Sequence, residues 1–167
     1  MNKLRILAAS LALMALAACT TVRNLDAAND VHALLLSIRD NDQAAFDRHV
    51  DRPALKRELQ TKVIDKAVRR DSTGLAAFFA PALADIAGEA LLQPYVFRLV
   101  AEHYGYRPNM AIPGPLAIAS VLKPLPDGRV CATRKKNGPC ELTFAKLDGA
   151  WRLTGFEGDP SLLKLKP

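Results

Sequence analysis

The sequence predicts an α+β domain in which about five N-terminal helices pack on one face of a C-terminal four-stranded antiparallel meander. Two observations carry this prediction. The spacing of apolar residues changes from the helical period of 3.6 to the strand period of 2 near residue 116. Asp148 and Gly149 then separate two segments of alternating polarity, which is a strong hairpin signal. Helices first and strands last are typical of α+β domains.

The helices are predicted from one-sided apolar spacing and from residues that start helices. Val31, Leu34, Leu35 and Ile38 follow the i, i+3, i+4, i+7 pattern of a helix with one apolar face. Asn29 or Asp30 can cap this first helix, because Asn and Asp side chains accept backbone N–H bonds, and proline is tolerated in a first turn. The five predicted helices cover about residues 31–38, 43–50, 52–70, 75–86 and 94–104.

The strands are predicted from β-branched or alternating segments separated by turn residues. Proline, aspartate and glycine over 124–128, and asparagine, glycine and proline over 137–139, mark two turns. The four predicted strands cover about residues 116–122, 129–133, 141–147 and 151–154. Because each connection is short, neighbouring strands are expected to pair antiparallel.

The first eighteen residues have the three parts of a secretory signal segment. Lys3 and Arg5 give a positive start, Ile6–Leu16 is an apolar run of eleven residues, and Ala17 and Ala18 are small. A membrane-spanning helix needs ~20 apolar residues. The segment is therefore predicted to be a cleaved signal rather than a membrane span.

The residues Leu16, Ala17, Ala18 and Cys19 resemble the lipobox of bacterial lipoproteins. This resemblance implies that the Cys19 thiol takes a diacylglyceryl group and that the chain is cut before Cys19, whose new amine is then acylated. Two or more acyl chains anchor a protein stably. Because Thr20 is not Asp, the resemblance implies an outer-membrane anchor that faces the periplasm rather than an inner-membrane one.

The predicted organisation is a signal peptide over 1–18, a lipidated Cys19 with a short tether over 19–30, one domain over 31–158 and a tail over 159–167. Loss of Lys3 and Arg5 with the signal lowers the formal net charge from +6 to +4. This bias is too small to imply a nucleic-acid partner, and no nucleic-acid-binding motif is present.

Cys131 and Cys140 are expected to form a disulfide, because an even pair of cysteines in an oxidising compartment usually does. They lie nine positions apart around a turn-rich segment. Free thiols or half of a metal site are the alternatives. Two cysteines with no histidine nearby make a poor zinc site.

Candidate catalytic residues are few. His49 lies two positions from Asp51, and His103 lies near Tyr95, Tyr104 and Glu102. Helix capping explains Asp51, and a histidine at a helix C-terminus explains His103. No nucleophile motif, HExxH sequence or glycine-rich phosphate loop occurs. The expectation is a non-enzymatic protein with no cofactor and no metal.

The helical half resembles a family of uncharacterised bacterial envelope proteins, a domain of unknown function. Residues 31–38, the acidic break 40–42, the Pro53–Lys56 helix start, Gln93–Tyr95 and the closing 147–153 carry this likeness, which extends over about 31–156. The pattern is also similar to cystatin-like cone folds of the nuclear-transport-factor type. Neither resemblance brings a known activity. Because no enzymatic motif is present, the expectation is a non-enzymatic binding or interaction module for an apolar ligand or an envelope protein. The alternative is a small cone-fold enzyme with a pocket that uses His49 or His103.

Overall fold

The computed structural model describes residues 22–70, 88–134 and 138–156, with the side chains of 63–70 excepted. The predicted α+β class is confirmed, and these described residues form six helices, where about five were predicted for the chain. The helices are α1 (22–40), α2 (Gln43–Arg48), α3 (Arg52–Arg70), α4 (88–91), α5 (Pro94–His103) and α6 (Pro115–Ala119). The strands are β1 (Leu122–Pro124), β2 (Val130–Ala132), β3 (Leu142–Leu147) and β4 (Ala150–Phe156). The signal segment, Cys19, the predicted helix over 75–86 and the tail lie outside the described residues.

Helix α1 is longer than predicted. Residues 22–30, expected to belong to a tether, are helical. Ala27 and Ala28 are fully buried and continue the apolar face of Val31 and Leu34 toward the N-terminus. Small alanines gave this turn a weak apolar signal in the sequence. The folded domain therefore includes most of the segment expected to be a tether.

The predicted helix starts are present at α2, α3 and α5. Asp42 accepts a hydrogen bond from the Ala45 amide at 2.9 Å, and Asp51 accepts one from the Ala54 amide at 3.0 Å. Pro94 occupies the first turn of α5. Each cap satisfies an N–H group that has no partner inside its helix, which fixes where these helices begin.

The sheet is the predicted antiparallel meander, with strand order β1-β2-β3-β4. Asp148 and Gly149 join β3 to β4 with φ angles of 50° and 84°. Two consecutive positive φ angles define a type I′ turn, whose twist matches that of paired strands. This turn sets the register that places Trp151 opposite Lys146.

The prediction of a strand over 116–122 is wrong for most of its length. Gly114 and Pro115 start the short helix α6, and only Leu122 remains in β1. Residues 116–119 are Leu, Ala, Ile and Ala, a short apolar run without alternation that periodicity cannot assign to either state. Proline at the first helical position and two alanines favour the helix.

The core lies between the helices and one face of the sheet. Phe46 of α2 and Leu55 of α3 are fully buried, and they belong to the same cluster as Val130, Phe144 and Leu153 of the sheet. Phe46 also meets Phe97 of α5 edge-on, with ring centroids 5.1 Å apart. The loop between α2 and α3 pairs with the sheet directly, because Val50 forms a parallel bridge with Leu153.

Candidate functional site

Polar side chains of α1 meet the β3–β4 hairpin in a connected polar contact. We call this group the Asp26 cluster: Asp26, Asp30, His49, Lys146 and Trp151. Asp26 and Asp30 are four positions apart and therefore lie on the same side of α1. That side faces the hairpin, where Lys146 and Trp151 are paired across β3 and β4.

Asp26 accepts hydrogen bonds from two residues of the hairpin, Trp151 and Lys146. Its Oδ2 accepts a hydrogen bond from the Trp151 indole Nε1 at 2.8 Å and one from Lys146 Nζ at 2.7 Å. The hydrogen bond from Lys146, followed by that from Trp151, lowers the pKa of the Asp26 carboxyl below its usual 3.8. Asp26 is therefore ionised at neutral pH and already committed to two donors.

Asp30 links α1 to both the hairpin and the α2–α3 junction. Its Oδ2 accepts a hydrogen bond from the Trp151 backbone amide at 2.7 Å. Its Oδ1 lies 3.7 Å from His49 Nδ1, too far for a hydrogen bond. Asp30 was expected to be a candidate cap of the first helix, but the helix begins before it and its carboxylate serves the sheet instead.

The backbone of His49 is hydrogen-bonded to β4, and its side chain is largely buried. Its carbonyl accepts a hydrogen bond from the Leu153 amide at 2.9 Å. Its side chain is only 13% exposed, and Nδ1 has no hydrogen-bond partner. Burial lowers the pKa of His49 below 6.5, while the Asp30 charge opposes this shift and Arg48 adds to it. The imidazole is therefore neutral at pH 7.

The structure does not bring the predicted candidates into one site. Asp51 caps α3, as the sequence indicates, and the carboxylate that faces His49 is that of Asp30. His103 is exposed at the end of α5. Its ring meets Tyr104 edge-on, with centroids 5.8 Å apart, and Arg134 lies 4.7 Å from the centroid of the Tyr104 ring. His103 thus has the surroundings of a helix end.

A second polar contact closes the free edge of β4. The Phe156 amide donates to Glu58 Oε2 at 3.0 Å, and Lys62 Nζ donates to the Phe156 carbonyl. Lys62 also lies 4.3 Å from the centroid of the Phe156 ring and pairs with Glu58 at 2.8 Å. Gly155 permits this approach, since a Cβ there would lie 2.9 Å from Glu58 Oε2.

A disulfide joins Cys131 to Cys140, as the sequence predicts, with Cα atoms 5.6 Å apart. Cys131 and Thr143 are paired across β2 and β3 and are both buried. Cys140 Sγ lies 3.7 Å from Thr143 Oγ1. The disulfide therefore links the segment before β3 to β2, and its Cys140 sulfur lies beside Thr143.

The chemistry of these groups is mainly structural. Asp26 and Asp30 are engaged by the hairpin. Within the described residues, no group of three or more histidine, cysteine, aspartate or glutamate side chains has the arrangement to hold a metal ion. No described helix is both long enough and apolar enough to cross a membrane.

Sequence reasoning missed Asp26, Lys146, Trp151 and Glu58 as polar partners. The one signal that could have indicated the first contact is the spacing of Asp26 and Asp30, two acids on one side of a helix. Nothing in the sequence connects that side with a hairpin more than a hundred residues later.

The fold places the protein among small α+β domains, and the fold alone does not indicate an activity. The family model described as a protein of unknown function (DUF2939) matches residues 7–100. The match covers more than half of the chain, and the chain belongs to this family. The match starts at residue 7, earlier than the likeness expected over about 31–156, and it ends at residue 100, ahead of the sheet. No curated protein and no solved structure matches the chain.

Proposed function

We propose that the protein is a lipid-anchored lipoprotein of the bacterial envelope, held by Cys19 at the outer membrane with its domain facing the periplasm. Its biochemical role is that of a non-enzymatic binding or interaction module, with an apolar ligand or an envelope protein as its partner. The observation that carries the anchor is Leu16–Cys19 at the end of a charged and then apolar segment.

Two further observations support this proposal. The family match begins at residue 7, inside the apolar segment, so this segment is part of what the chain shares with its family. The disulfide between Cys131 and Cys140 suits an oxidising compartment such as the periplasm. A chain that leaves the cytoplasm with a cysteine at its new N-terminus has the chemistry that lipidation needs.

The non-enzymatic role is supported by the way the polar groups are used. The acids of the Asp26 cluster accept hydrogen bonds from Trp151 and Lys146. His103, the second candidate, stands exposed at a helix end. Groups that hold elements together in this way stabilise the fold and leave little capacity for acid–base work.

One observation favours the alternative, a small enzyme that uses His49. A buried imidazole with a lowered pKa and a ring nitrogen without a hydrogen-bond partner is a recurrent feature of catalytic sites. Native mass spectrometry of a soluble form that begins at Thr20, directed to the periplasm and purified from it, separates the two roles. A retained apolar molecule supports binding, whereas a retained polar metabolite that the protein converts supports the enzyme.

The anchor is tested by labelling cells with a palmitate analogue. The unaltered protein is expected to carry the label and to fractionate with membranes, and Cys19→Ser to lose both properties. The matched control replaces both of the other cysteines, Cys131→Ser with Cys140→Ser, and should keep the label. Unchanged labelling of Cys19→Ser would refute the proposed anchor.

A further inference from the structure

The start of α1 presents apolar side chains away from the core. Val22 is 68% exposed and Leu25 is 37% exposed. They lie three positions apart and so on one side of the helix. The buried residues Ala27, Ala28, Val31 and Leu34 define the core side of the same helix. Helix α1 is therefore apolar on two sides at its N-terminal end, and the core accounts for one of them.

Helix α6 lies alongside α1 and carries a third exposed apolar side chain. Asn24 Nδ2 donates to the Leu122 carbonyl at 3.1 Å, and His32 Nδ1 lies 2.8 Å from the Pro113 carbonyl oxygen. These contacts hold both ends of the segment that contains α6, so that it runs antiparallel along α1. Leu116 of α6 is 78% exposed, the largest exposure among the described large apolar residues.

The acid beside Val22 on α1 is neutralised by an ion pair. Asp26 lies four positions from Val22 and so on the same side of the helix, and it is paired with Lys146 at 2.7 Å. Asp30 accepts a hydrogen bond from the Trp151 amide. Asn29, between them in sequence, is exposed and uncharged. The outward side of the first turns of α1 thus offers apolar groups, an amide and a paired carboxylate, which suits contact with an anionic bilayer better than an unpaired acid would.

The position of Cys19 identifies what this surface meets. Three residue steps separate Cys19 from Val22, and an extended chain spans at most ~3.6 Å per residue, or about 11 Å here. An acylated Cys19 therefore keeps the start of α1 within the depth of the lipid head-group region.

We propose that Val22, Leu25 and Leu116, which we call the α1–α6 surface, rest on the bilayer and insert at the boundary between head groups and acyl chains. This inference depends on the proposed lipid anchor and adds an orientation to it. Apolar side chains beside an acyl anchor add a second contact with the membrane and so strengthen its binding to the domain. The opposite end of α1, where α5 packs on α2 through Phe97 and Phe46, then faces the periplasm.

The test uses the mature acylated protein in vesicles of phosphatidylethanolamine and phosphatidylglycerol that carry a shallow nitroxide-labelled lipid. A tryptophan probe is introduced by Leu116→Trp, and the matched control is Tyr95→Trp on α5, where the native side chain is 45% exposed. The signal of Trp151, which is buried, is subtracted with the unaltered protein. We expect the nitroxide to quench the probe at 116 at least about twofold more than the probe at 95.

The outcomes separate the orientation from the anchor. Acylated, vesicle-bound protein with equal quenching at both probes overturns the orientation and leaves the anchor standing. Equal quenching with a probe at 116 that is shielded from aqueous iodide assigns the surface to a protein partner and also overturns the orientation. Protein whose mass lacks acyl chains and that does not sediment with vesicles overturns the proposed function and this inference with it. Should Leu116→Trp fail to fold, Leu25→Trp provides the same comparison.

Discussion

The indole Nε1 of Trp151 donates a hydrogen bond of 2.8 Å to Asp26 Oδ2, across 125 positions of sequence. This contact connects the first described helix to the last described strand. Trp151 is 2% exposed, so its N–H group has no access to bulk water and depends on this acceptor. Burial of a polar group without a partner is costly, which makes Asp26 a stabilising residue despite its position near the surface.

Replacing Asp26 with alanine should therefore destabilise the domain. The change removes the acceptor of the Trp151 indole and the partner of Lys146. We expect the free energy of unfolding to fall by about 1–3 kcal/mol, the usual cost of an unsatisfied buried donor. Urea unfolding followed by Trp151 fluorescence measures this change directly.

Asp40→Ala is the matched control for that variant. Asp40 is an exposed acid on the same helix that bonds only its sequence neighbour Arg39 among the described residues, and its loss should leave the urea midpoint unchanged. Equal effects of the two substitutions would show that the Asp26–Trp151 hydrogen bond does not stabilise the fold.

Removing the disulfide should lower stability by a predictable amount. Cys131 and Cys140 are nine positions apart and close a loop of ten residues, for which the chain-entropy model gives roughly 2.5–3 kcal/mol. The Cys131→Ser, Cys140→Ser double variant is expected to unfold at correspondingly lower urea concentration. In the native protein both thiols should resist alkylation until a reductant is added. Ready alkylation without reductant would contradict the disulfide.

The stability of the domain should depend on pH through His49. Burial lowers its pKa in the folded state below the ordinary 6.5. The unfolded chain therefore binds a proton at higher pH than the folded one. The contribution of neutral His49 to stability is complete above pH 6.5 and is lost as the pH falls from there through the folded pKa. Asp26, whose pKa is lowered below 3.8, adds its own loss only as the pH falls below that value.

Urea unfolding at several pH values between about 5 and 7 isolates the His49 effect from that of the carboxylates. We expect His49→Gln to flatten the decline of stability with falling pH in this range. His103→Gln, which changes an exposed side chain, should retain the decline of the unaltered protein. A decline of the same slope in His49→Gln would assign the pH dependence to other groups.

A side chain at position 155 should destabilise the domain, because it would collide with Glu58. A Cβ at this position would lie 2.9 Å from Glu58 Oε2, so Gly155→Ala must displace the carboxylate that accepts the Phe156 amide. We expect a loss of about 1 kcal/mol in the free energy of unfolding, the typical net value of such a hydrogen bond.

A double-mutant cycle with Glu58→Ala tests the cause of that loss. Once Glu58 is truncated, the added methyl group of Gly155→Ala has no carboxylate to displace, and its cost should become smaller. Fully additive costs would show that the glycine is required for its backbone and not for the approach of Glu58.

Local signals predicted much of this fold because they act over a few residues. Asp42 and Asp51 cap the helices that follow them, and the Asp148–Gly149 turn forms the expected hairpin. Where local signals were balanced, the prediction was wrong. Residues 116–119 are apolar without a period, and Pro115 decided in favour of a helix.

The candidate site was less predictable because its contacts are distant in sequence. Local capping explained Asp30 and Asp51 equally well, yet only Asp51 serves as a cap. The side of α1 that faces the hairpin is set by the packing of Ala27 and Ala28, whose small side chains leave little pattern to read. The position of Asp30 opposite His49 therefore follows from the folded structure and not from the local sequence.

The separation between Asp26 and Trp151 also bears on how the chain folds as it is made. A chain that emerges with its N-terminus first exposes α1 long before the residues that secure it. Until β4 has emerged, the indole and the backbone amide of Trp151, which donate to Asp26 and Asp30, are absent, and these two acids are solvated. Helix α1 thus emerges first but gains its contacts with the hairpin among the last, and a chain truncated before residue 151 would leave the start of α1 open to proteolysis.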